Sequence, residues 1–197
     1  MPREYENQNP TAFQRIPENT RDDNWIKSLL HRGQIARIAS RFDLQPFINT
    51  STFLYAESEN RIIFHSNVAG RVRANIEGHP EVCVEVSEFG KLLPSNVALE
   101  FSLQYRSAIV FGKAYLIEND AEKRKVLHQL IAKYFGAMQI DKDYRSVTDK
   151  ELKRTSVYQI KIESWSGKEN WKDMTDQSDE WSALDQKWFD FYKSLKF

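Results

Sequence analysis

The strand-like segments of this 197-residue chain follow one another in hairpin-like succession, and this order most constrains the fold. They occupy residues 34–40, 47–55, 61–65, 81–86, 99–118 and 156–163. Parallel neighbours need a long crossover connection, usually helical, and most of these segments lack one. The sequence therefore predicts a mainly β (α+β) protein, with a six-stranded antiparallel sheet or small barrel and peripheral helices. Residues 87–97 are expected to form a loop.

Helical spacing of apolar residues separates only some of these strands. It covers residues 20–32, 68–77, 119–135 and 182–195. Asn119, followed by Glu122 at a spacing close to that of a capping box, predicts where the third helix begins. Residues 1–20 are expected to form an extended arm and residues 168–197 an aromatic tail. The length predicts a single domain over residues 1–197.

Composition excludes several classes of protein. Lys plus Arg and Asp plus Glu both number 28, so the chain lacks the cationic excess of a nucleic-acid binder. No apolar run approaches the ~20 residues that cross a bilayer, and the polar N-terminus does not have the pattern of a secretory signal. Cys83 is the only cysteine and cannot form an intramolecular disulfide or a multi-cysteine zinc site. We expect a cytoplasmic protein that binds neither nucleic acid nor membrane.

Catalytic and metal-binding signatures are absent from the sequence. There is no HExxH, GxSxG, P-loop or GxGxxG pattern. Cys83 lies between two valines of a predicted strand, where a packed thiol is expected rather than a nucleophile. The sequence therefore predicts no catalytic side chain and no metal site.

One segment has the composition of a phosphate-binding loop. The run HSNVAGR, residues 65–71, follows an apolar strand and leads into a predicted helix. Ser66 and Asn67 offer polar side chains, Gly70 allows close backbone approach, and Arg71 is a bidentate donor beside helix N-terminal amides. The alternative interpretation is a capped helix with solvated arginines.

This segment also carries a family resemblance. Residues 65–80, HSNVAGRVRANIEGHP, resemble the flavin-phosphate segment of the pyridoxamine 5′-phosphate oxidase-like family. The pairs His65-Ser66 and Gly70-Arg71 are similar to its nitroimidazole-resistance branch. The resemblance implies that Ser66 and Arg71 contact a flavin phosphate.

Three further segments resemble the same family, in the same order. Residues 50–55 are similar to its flavin-lining strand, residues 105–114 to a strand ending in Gly-Lys-Ala, and residues 162–168 to the segment that closes its barrel. The cofactor-binding residues implied by the resemblance are Thr50, Ser51, Thr52, Phe53, His65, Ser66, Asn67, Gly70, Arg71, Ser107 and Trp165.

The resemblance implies a split β-barrel that binds FMN at a homodimer interface. The expected function is an FMN-dependent oxidoreductase of a small molecule, with NAD(P)H as one candidate electron donor. A non-enzymatic flavin carrier or sensor would use the same residues. A third alternative is haem binding, with His65 or His128 as the axial ligand.

Departures from the family pattern argue against the activity of the oxidases proper. Val72 stands where a Lys follows the family's Arg, and Tyr55 stands where a strand Lys reaches the substrate phosphate. Trp171 and Asp173 lie where the oxidases carry Arg-x-His. We therefore do not expect pyridoxamine phosphate as substrate. The aromatic tail is expected to form a packed terminal helix or, alternatively, a lid or dimer-spanning arm.

Overall fold

The computed structural model describes residues 8–11 and 16–190, which form one antiparallel sheet with helices around it. The strands are β1 (Thr20–Arg21), β2 (Ala36–Phe42), β3 (Gln45–Ser51), β4 (Leu54–Ala56), β5 (Arg61–Asn67), β6 (Glu81–Leu93), β7 (Ser102–Leu116) and β8 (Thr155–Asn170). The α-helices are α1 (Asp23–Arg32), α2 (Arg71–Gly78), α3 (Asp120–Phe135) and α4 (Asp149–Leu152).

The order of the strands makes the sheet curl into a barrel. It runs β3-β2-β6-β7-β8-β5-β4, with β1 paired to β8. The end strands β3 and β4 are joined only by Thr52 and Phe53. Ser51 and Leu54 therefore lie within about 11 Å of each other, the reach of three residues. No ladder joins β3 to β4 in the described part of the chain. The barrel is thus split, and the predicted fold class is confirmed.

The core fills the barrel and extends under two helices. Helix α1 closes the barrel with Ile26, Leu29 and Leu30, all buried. It packs closely on β8, since a Cβ at Gly167 would lie 2.6 Å from Ile26 Cγ1. A second buried cluster lies under α3 and consists of Ile63, Ile117, Val126 and Val157.

Several element boundaries differ from the sequence-based prediction. The sheet has eight strands rather than six, because residues 47–55 break at Thr52–Phe53 and the short β1 adds to β8. Residues 87–93, expected to be loop, continue β6 along β7. Gly90 and the following Pro94 indicate a loop, yet the backbone groups of this segment pair with the long strand β7. Asn119 is confirmed as the cap of α3, since its side chain accepts a hydrogen bond from Glu122 N–H at 2.9 Å.

The C-terminal tail differs most from expectation. Residues 182–190 contain a 3₁₀ turn at Gln186–Trp188 instead of the predicted α-helix, and residues 191–195 of that prediction lie outside the described part. The tail crosses the connection between β6 and β7 in an extended path. Ser178 N–H donates to Asn96 Oδ1 at 2.8 Å, and Ser95 Oγ donates to the Asp176 carbonyl at 2.7 Å. Within the described residues, no helix is long and apolar enough to span a membrane.

Candidate functional site

The loop between β5 and α2 is open to solvent and shaped by its own polar groups. Asn67 Oδ1 accepts a hydrogen bond from Ala69 N–H at 3.0 Å, which tightens the turn into the helix. Gly70 has φ +144°, a conformation that side chains rarely adopt, and nothing lies within 4 Å of the position of a Cβ there. The backbone at Gly70 is therefore accessible to a ligand.

Arg71 begins helix α2 and is exposed. Its guanidinium carbon lies 4.8 Å from the centre of the Phe42 ring. A cation beside the unsatisfied N–H groups of a helix N-terminus favours binding of an anion. Val72, at the position of the family's Lys, is buried in the core, and Arg73 is bonded to Glu77 and to Ser156 Oγ. Neither residue supplies a second free cation on α2.

Ser66 and His65 lie on opposite faces of β5, as neighbouring strand residues must. Ser66 pairs with Ser156, and its Oγ lies 3.3 Å from the Tyr158 hydroxyl, toward the barrel interior. His65 pairs with Val157, whose side chain packs in the cluster under α3. The predicted site residues of β5 therefore divide between two faces of the sheet.

His65 borders a cavity of about 460 Å³ between the sheet and α3. The lining residues are His65, Leu127, Leu130, Ile131, Tyr144, Arg145, Val147, Glu151 and Thr155. The Nδ1 atom of His65 is buried and has no hydrogen-bond partner. Burial lowers the pKa of the His65 imidazole, which favours its neutral form. His128 differs, because Ser146 Oγ lies 3.0 Å from its Nε2 and the Tyr144 hydroxyl 3.4 Å from its Nδ1.

The segment from Thr50 to Phe53 lies where the barrel is split. Thr50 and Ser51 are the last two residues of β3. After Thr52 and Phe53 the chain enters β4, which is antiparallel to β5 and pairs Leu54 with Ile63. Phe53 is completely buried, so its ring belongs to the core and does not face an open site. Its N–H donates to the Tyr134 hydroxyl at 3.0 Å.

Lys133 is a residue of this region that sequence reasoning missed. Its Nζ lies 3.6 Å from the centre of the Phe53 ring and 3.4 Å from the Leu30 carbonyl oxygen. Burial lowers its pKa to about 8. The burial of Lys133 could not be predicted from its position in the helix, because the long side chains of helical lysines commonly extend to solvent.

Ser107 and Trp165 lie far along the sheet from the β5–α2 loop. Ser107 pairs with Ser87, whose Oγ accepts a hydrogen bond from Arg37 Nη1 at 3.2 Å. Trp165 is nine positions along β8 from Ser156, the partner of Ser66, which is roughly 30 Å of strand.

Trp165 is held inside its own protomer. Its Nε1–H donates to Asp23 Oδ1 at 2.8 Å, and its ring meets Tyr55 edge-on with the centroids 6.3 Å apart. Tyr55 is itself buried in the core, so it does not project into an open substrate site.

The predicted site residues thus form separate groups within one chain. The β5–α2 loop gathers Ser66, Asn67, Gly70 and Arg71, and residues 50–53 lie at the barrel split. Among the described residues, no hydrogen bond or ring contact joins either group to Ser107 or Trp165. A single protomer does not bring all the predicted residues together on one continuous surface.

Comparisons with solved structures find the same fold in proteins of low sequence identity. A flavocytochrome from Azotobacter vinelandii is 24% identical, with a TM-score of 0.75, covering 88% of this chain and 78% of that one. An FAD- and haem-binding protein from Mycobacterium smegmatis is 23% identical, with a TM-score of 0.70, covering 81% and 76%. A candidate 5-nitroimidazole antibiotic resistance protein from Bacteroides thetaiotaomicron is 22% identical, with a TM-score of 0.62, covering 75% and 83%.

The sequence comparison identifies the family. No curated protein matches the chain significantly. A sequence profile described as pyridoxamine 5′-phosphate oxidase matches residues 22–169, which run from α1 into β8 and include all of the predicted cofactor-binding residues. The resemblance inferred from the loop and the three further segments is confirmed over that range: the chain belongs to the pyridoxamine 5′-phosphate oxidase family.

Proposed function

We propose that this protein binds FMN and acts as an FMN-dependent oxidoreductase of a small molecule. The observation that carries the proposal is the β5–α2 loop, where an open Gly70 backbone and an exposed Arg71 adjoin the N-terminus of α2. Such a site suits a phosphate group. The bound flavin would supply the redox chemistry, while the chain binds and orients it.

The comparisons support flavin binding in general. Two of the similar structures bear names that include a flavin or FAD, and the third is a candidate nitroimidazole resistance protein. The loop, together with Thr50, Ser51 and Thr52 at the barrel split, provides the phosphate end of the flavin site in our proposal. The ring end is assigned to Ser107. Trp165 pairs with the buried Val110, so its ring lies on the opposite face of the sheet from Ser107.

A homodimer accounts for the separation of these groups. We propose that the loop of one protomer and the Ser107 region of its partner flank the same flavin. The outward sheet face near Ser107 carries a polar row in which Arg37 Nη1 contacts Glu85 Oε2 at 2.8 Å and also the Ser87 hydroxyl. This row gives the ring end hydrogen-bonding groups that a flavin can use.

The test begins with the absorption spectrum of the purified protein and the mass of any chromophore released on denaturation. Equilibrium titration with FMN follows, comparing the parent protein with Arg71→Ala. Loss of a charge-assisted contact of roughly 1.5–3 kcal/mol should weaken FMN binding about 10- to 150-fold.

Lys125→Ala is the matched control, because Lys125 is an exposed cation of α3 on a different element. It removes the same charge and should leave FMN affinity unchanged. Equal affinities for the parent and Arg71→Ala would refute the phosphate site, and a protein that takes up no flavin would refute the function.

Turnover separates an enzyme from a carrier. Reduction of a nitroaromatic acceptor or of oxygen, at a rate that depends on NADH or NADPH and on bound FMN, is expected of the oxidoreductase. Flavin retained without turnover under either donor would favour a carrier or sensor.

Haem binding is a second candidate because of the His65 cavity. A neutral imidazole with an unpartnered nitrogen suits an iron ligand, and Leu127, Leu130 and Ile131 give the cavity apolar walls. His128 fits less well, since both of its nitrogens have partners. A Soret band that is lost in His65→Ala and kept in His128→Ala would support haem at this cavity. Absence of the band after haem reconstitution would exclude it.

A further inference from the structure

Most arginines of this protein are neutralised by a carboxylate. Within residues 8–11 and 16–190, those in an ion pair are Arg21, Arg32, Arg37, Arg41, Arg61, Arg73, Arg106, Arg124 and Arg145. Arg71 and Arg154 are the two arginines of this part of the chain that have no such partner. Both are exposed.

These two arginines flank the same loop. The Val68 N–H donates to the Arg154 carbonyl oxygen at 3.2 Å, so Arg154 lies beside the loop just before β8 begins. Arg71 follows Val68 by three residues, at most about 11 Å along the chain. The loop residues Asn67, Ala69 and Gly70 adjoin Val68, whose backbone contacts Arg154, and they precede Arg71 in the chain.

Arg154 lies where the β5–β8 ladder ends beside the loop. Asn67 pairs with Thr155 and Ser66 with Ser156. The Val68 N–H bond to Arg154 continues this pairing by one position, in the turn just before β8. Ser156 Oγ accepts a hydrogen bond from Arg73 of α2, so α2 lies next to this end of β8.

We propose that Arg154 is a second phosphate-binding residue, which together with Arg71 selects phosphorylated flavins over riboflavin. This inference rests on the proposed flavin function. A phosphate monoester carries nearly two negative charges at neutral pH, and α2 offers only Arg71, because Val72 is buried and Arg73 is paired. Arg154 supplies the missing charge from the opposite strand, through a residue distant in sequence.

The test compares FMN, FAD and riboflavin binding to the parent protein and to Arg154→Ala. Loss of one charge-assisted contact should weaken FMN binding on the order of 10-fold. Riboflavin has no phosphate, so its affinity should change less than about twofold. If FAD binding weakens as much as FMN binding, the two arginines hold a phosphate common to both ligands. If only FMN binding weakens, they recognise the terminal phosphate monoester.

Lys153→Ala is the matched control, because Lys153 is the exposed neighbour of Arg154 and carries the same charge. It should leave all three affinities unchanged, which excludes a general electrostatic effect. Arg154→Lys should recover part of the FMN affinity. If Arg71→Ala weakens FMN binding and Arg154→Ala does not, the inference is wrong while the flavin function stands. Equal losses of FMN and riboflavin in Arg154→Ala also overturn it, and a parent protein that binds no flavin overturns the proposed function itself.

Discussion

At the residue scale, burial decides which side chains of the candidate region have unusual chemistry. Lys133 lies against the Phe53 ring with no carboxylate partner, and desolvation lowers its pKa to about 8. His65 has its pKa lowered for the same reason. The two residues approach the predicted flavin segments from α3 and from β5. In both residues, desolvation by burial is the cause of the lowered pKa.

Lys133 predicts a rise in stability at alkaline pH. Its pKa is about 8 in the folded state and 10.5 unperturbed, so between these values the unfolded chain binds more protons. The free energy of unfolding contributed by Lys133 therefore increases from pH 8 to 10.5, because the cost of burying the charge disappears. Urea denaturation of the parent protein and Lys133→Met, as a function of pH, measures this.

The quantity to compare is the difference in the free energy of unfolding between the two proteins, because the other tyrosines and lysines titrate equally in both. Lys133→Met should be more stable than the parent below pH 8, and the difference should shrink toward pH 10.5. Parallel stability curves over this range would contradict a buried, destabilised charge at Lys133.

At the element scale, the β7–β8 pair shows how a strand is bent by one residue. Phe111 pairs with Ser164 and Gly112 with Ile162, so Glu163 is the extra residue of a β-bulge. The backbones approach closely there: a Cβ at Gly112 would lie 2.2 Å from the Lys161 carbonyl oxygen. The Gly-Lys-Ala motif noted in the sequence therefore has a structural reason, which is to let β8 bend around the barrel.

Gly112→Ala is expected to destabilise the protein. The added methyl group collides with backbone rather than with a flexible side chain, so the bulge must open at a cost of about 1–3 kcal/mol. Gly78→Ala is the control, because nothing lies within 4 Å of a Cβ at that helical position. Urea denaturation midpoints should fall for Gly112→Ala and stay or rise for Gly78→Ala. A parent-like midpoint for Gly112→Ala would contradict this account of the bulge.

At the scale of the whole molecule, the barrel keeps the two ends of the proposed flavin site apart. Ser107 pairs with Lys168 on β8, twelve positions from the Ser156 that faces Ser66, or roughly 40 Å of strand. The loop that carries Arg71 is at one end of this path. A site made by two protomers, as proposed, removes the need for one chain to span it.

Mixed dimers test whether two protomers share each site. Arg71→Ala and Ser107→Trp should each weaken FMN binding in homodimers. In a dimer with one copy of each variant, one shared site carries both changes and the other is intact. Co-expression with two affinity tags, followed by FMN titration of the isolated mixed dimer, should therefore restore half of the sites. No recovery would indicate that each site is built within a single protomer.

Local patterns in the sequence predicted several elements correctly. Asn119 caps α3 through a hydrogen bond from the N–H of the third residue after it, as the sequence predicted. Such caps depend on residues within one turn, so a single sequence is enough to find them. The apolar run within residues 61–65 predicted β5, and the helical segment expected from residue 68 predicted the start of α2 to within three residues.

Features that depend on residues distant in the sequence were not predicted from local patterns. Residues 87–93 contain Gly90 and precede Pro94, yet pairing with β7 makes them a strand. Residues 182–190 have helical spacing but form a 3₁₀ turn at Gln186–Trp188 in place of an α-helix. The ring of Phe53 fell inside the barrel because β3 and β4 separate there. At these places the local secondary-structure propensity does not decide the conformation, because tertiary hydrogen bonds and burial contribute more free energy.

The sequence by itself predicted the antiparallel sheet, because the succession of strands is a local pattern. The family, the split barrel and the role of the loop from Ser66 to Arg71 followed from the resemblance of a few short segments. Only the tertiary structure decided which cations are free. In the folded chain Arg73 is paired with Glu77 and Val72 is buried. Arg154 lies beside Val68, although the two residues are more than eighty positions apart in the sequence. The fold also places His65 and Ser66 on opposite faces of β5. Charge and orientation at a site depend on the neighbours that the sheet brings together, and no local pattern encodes them.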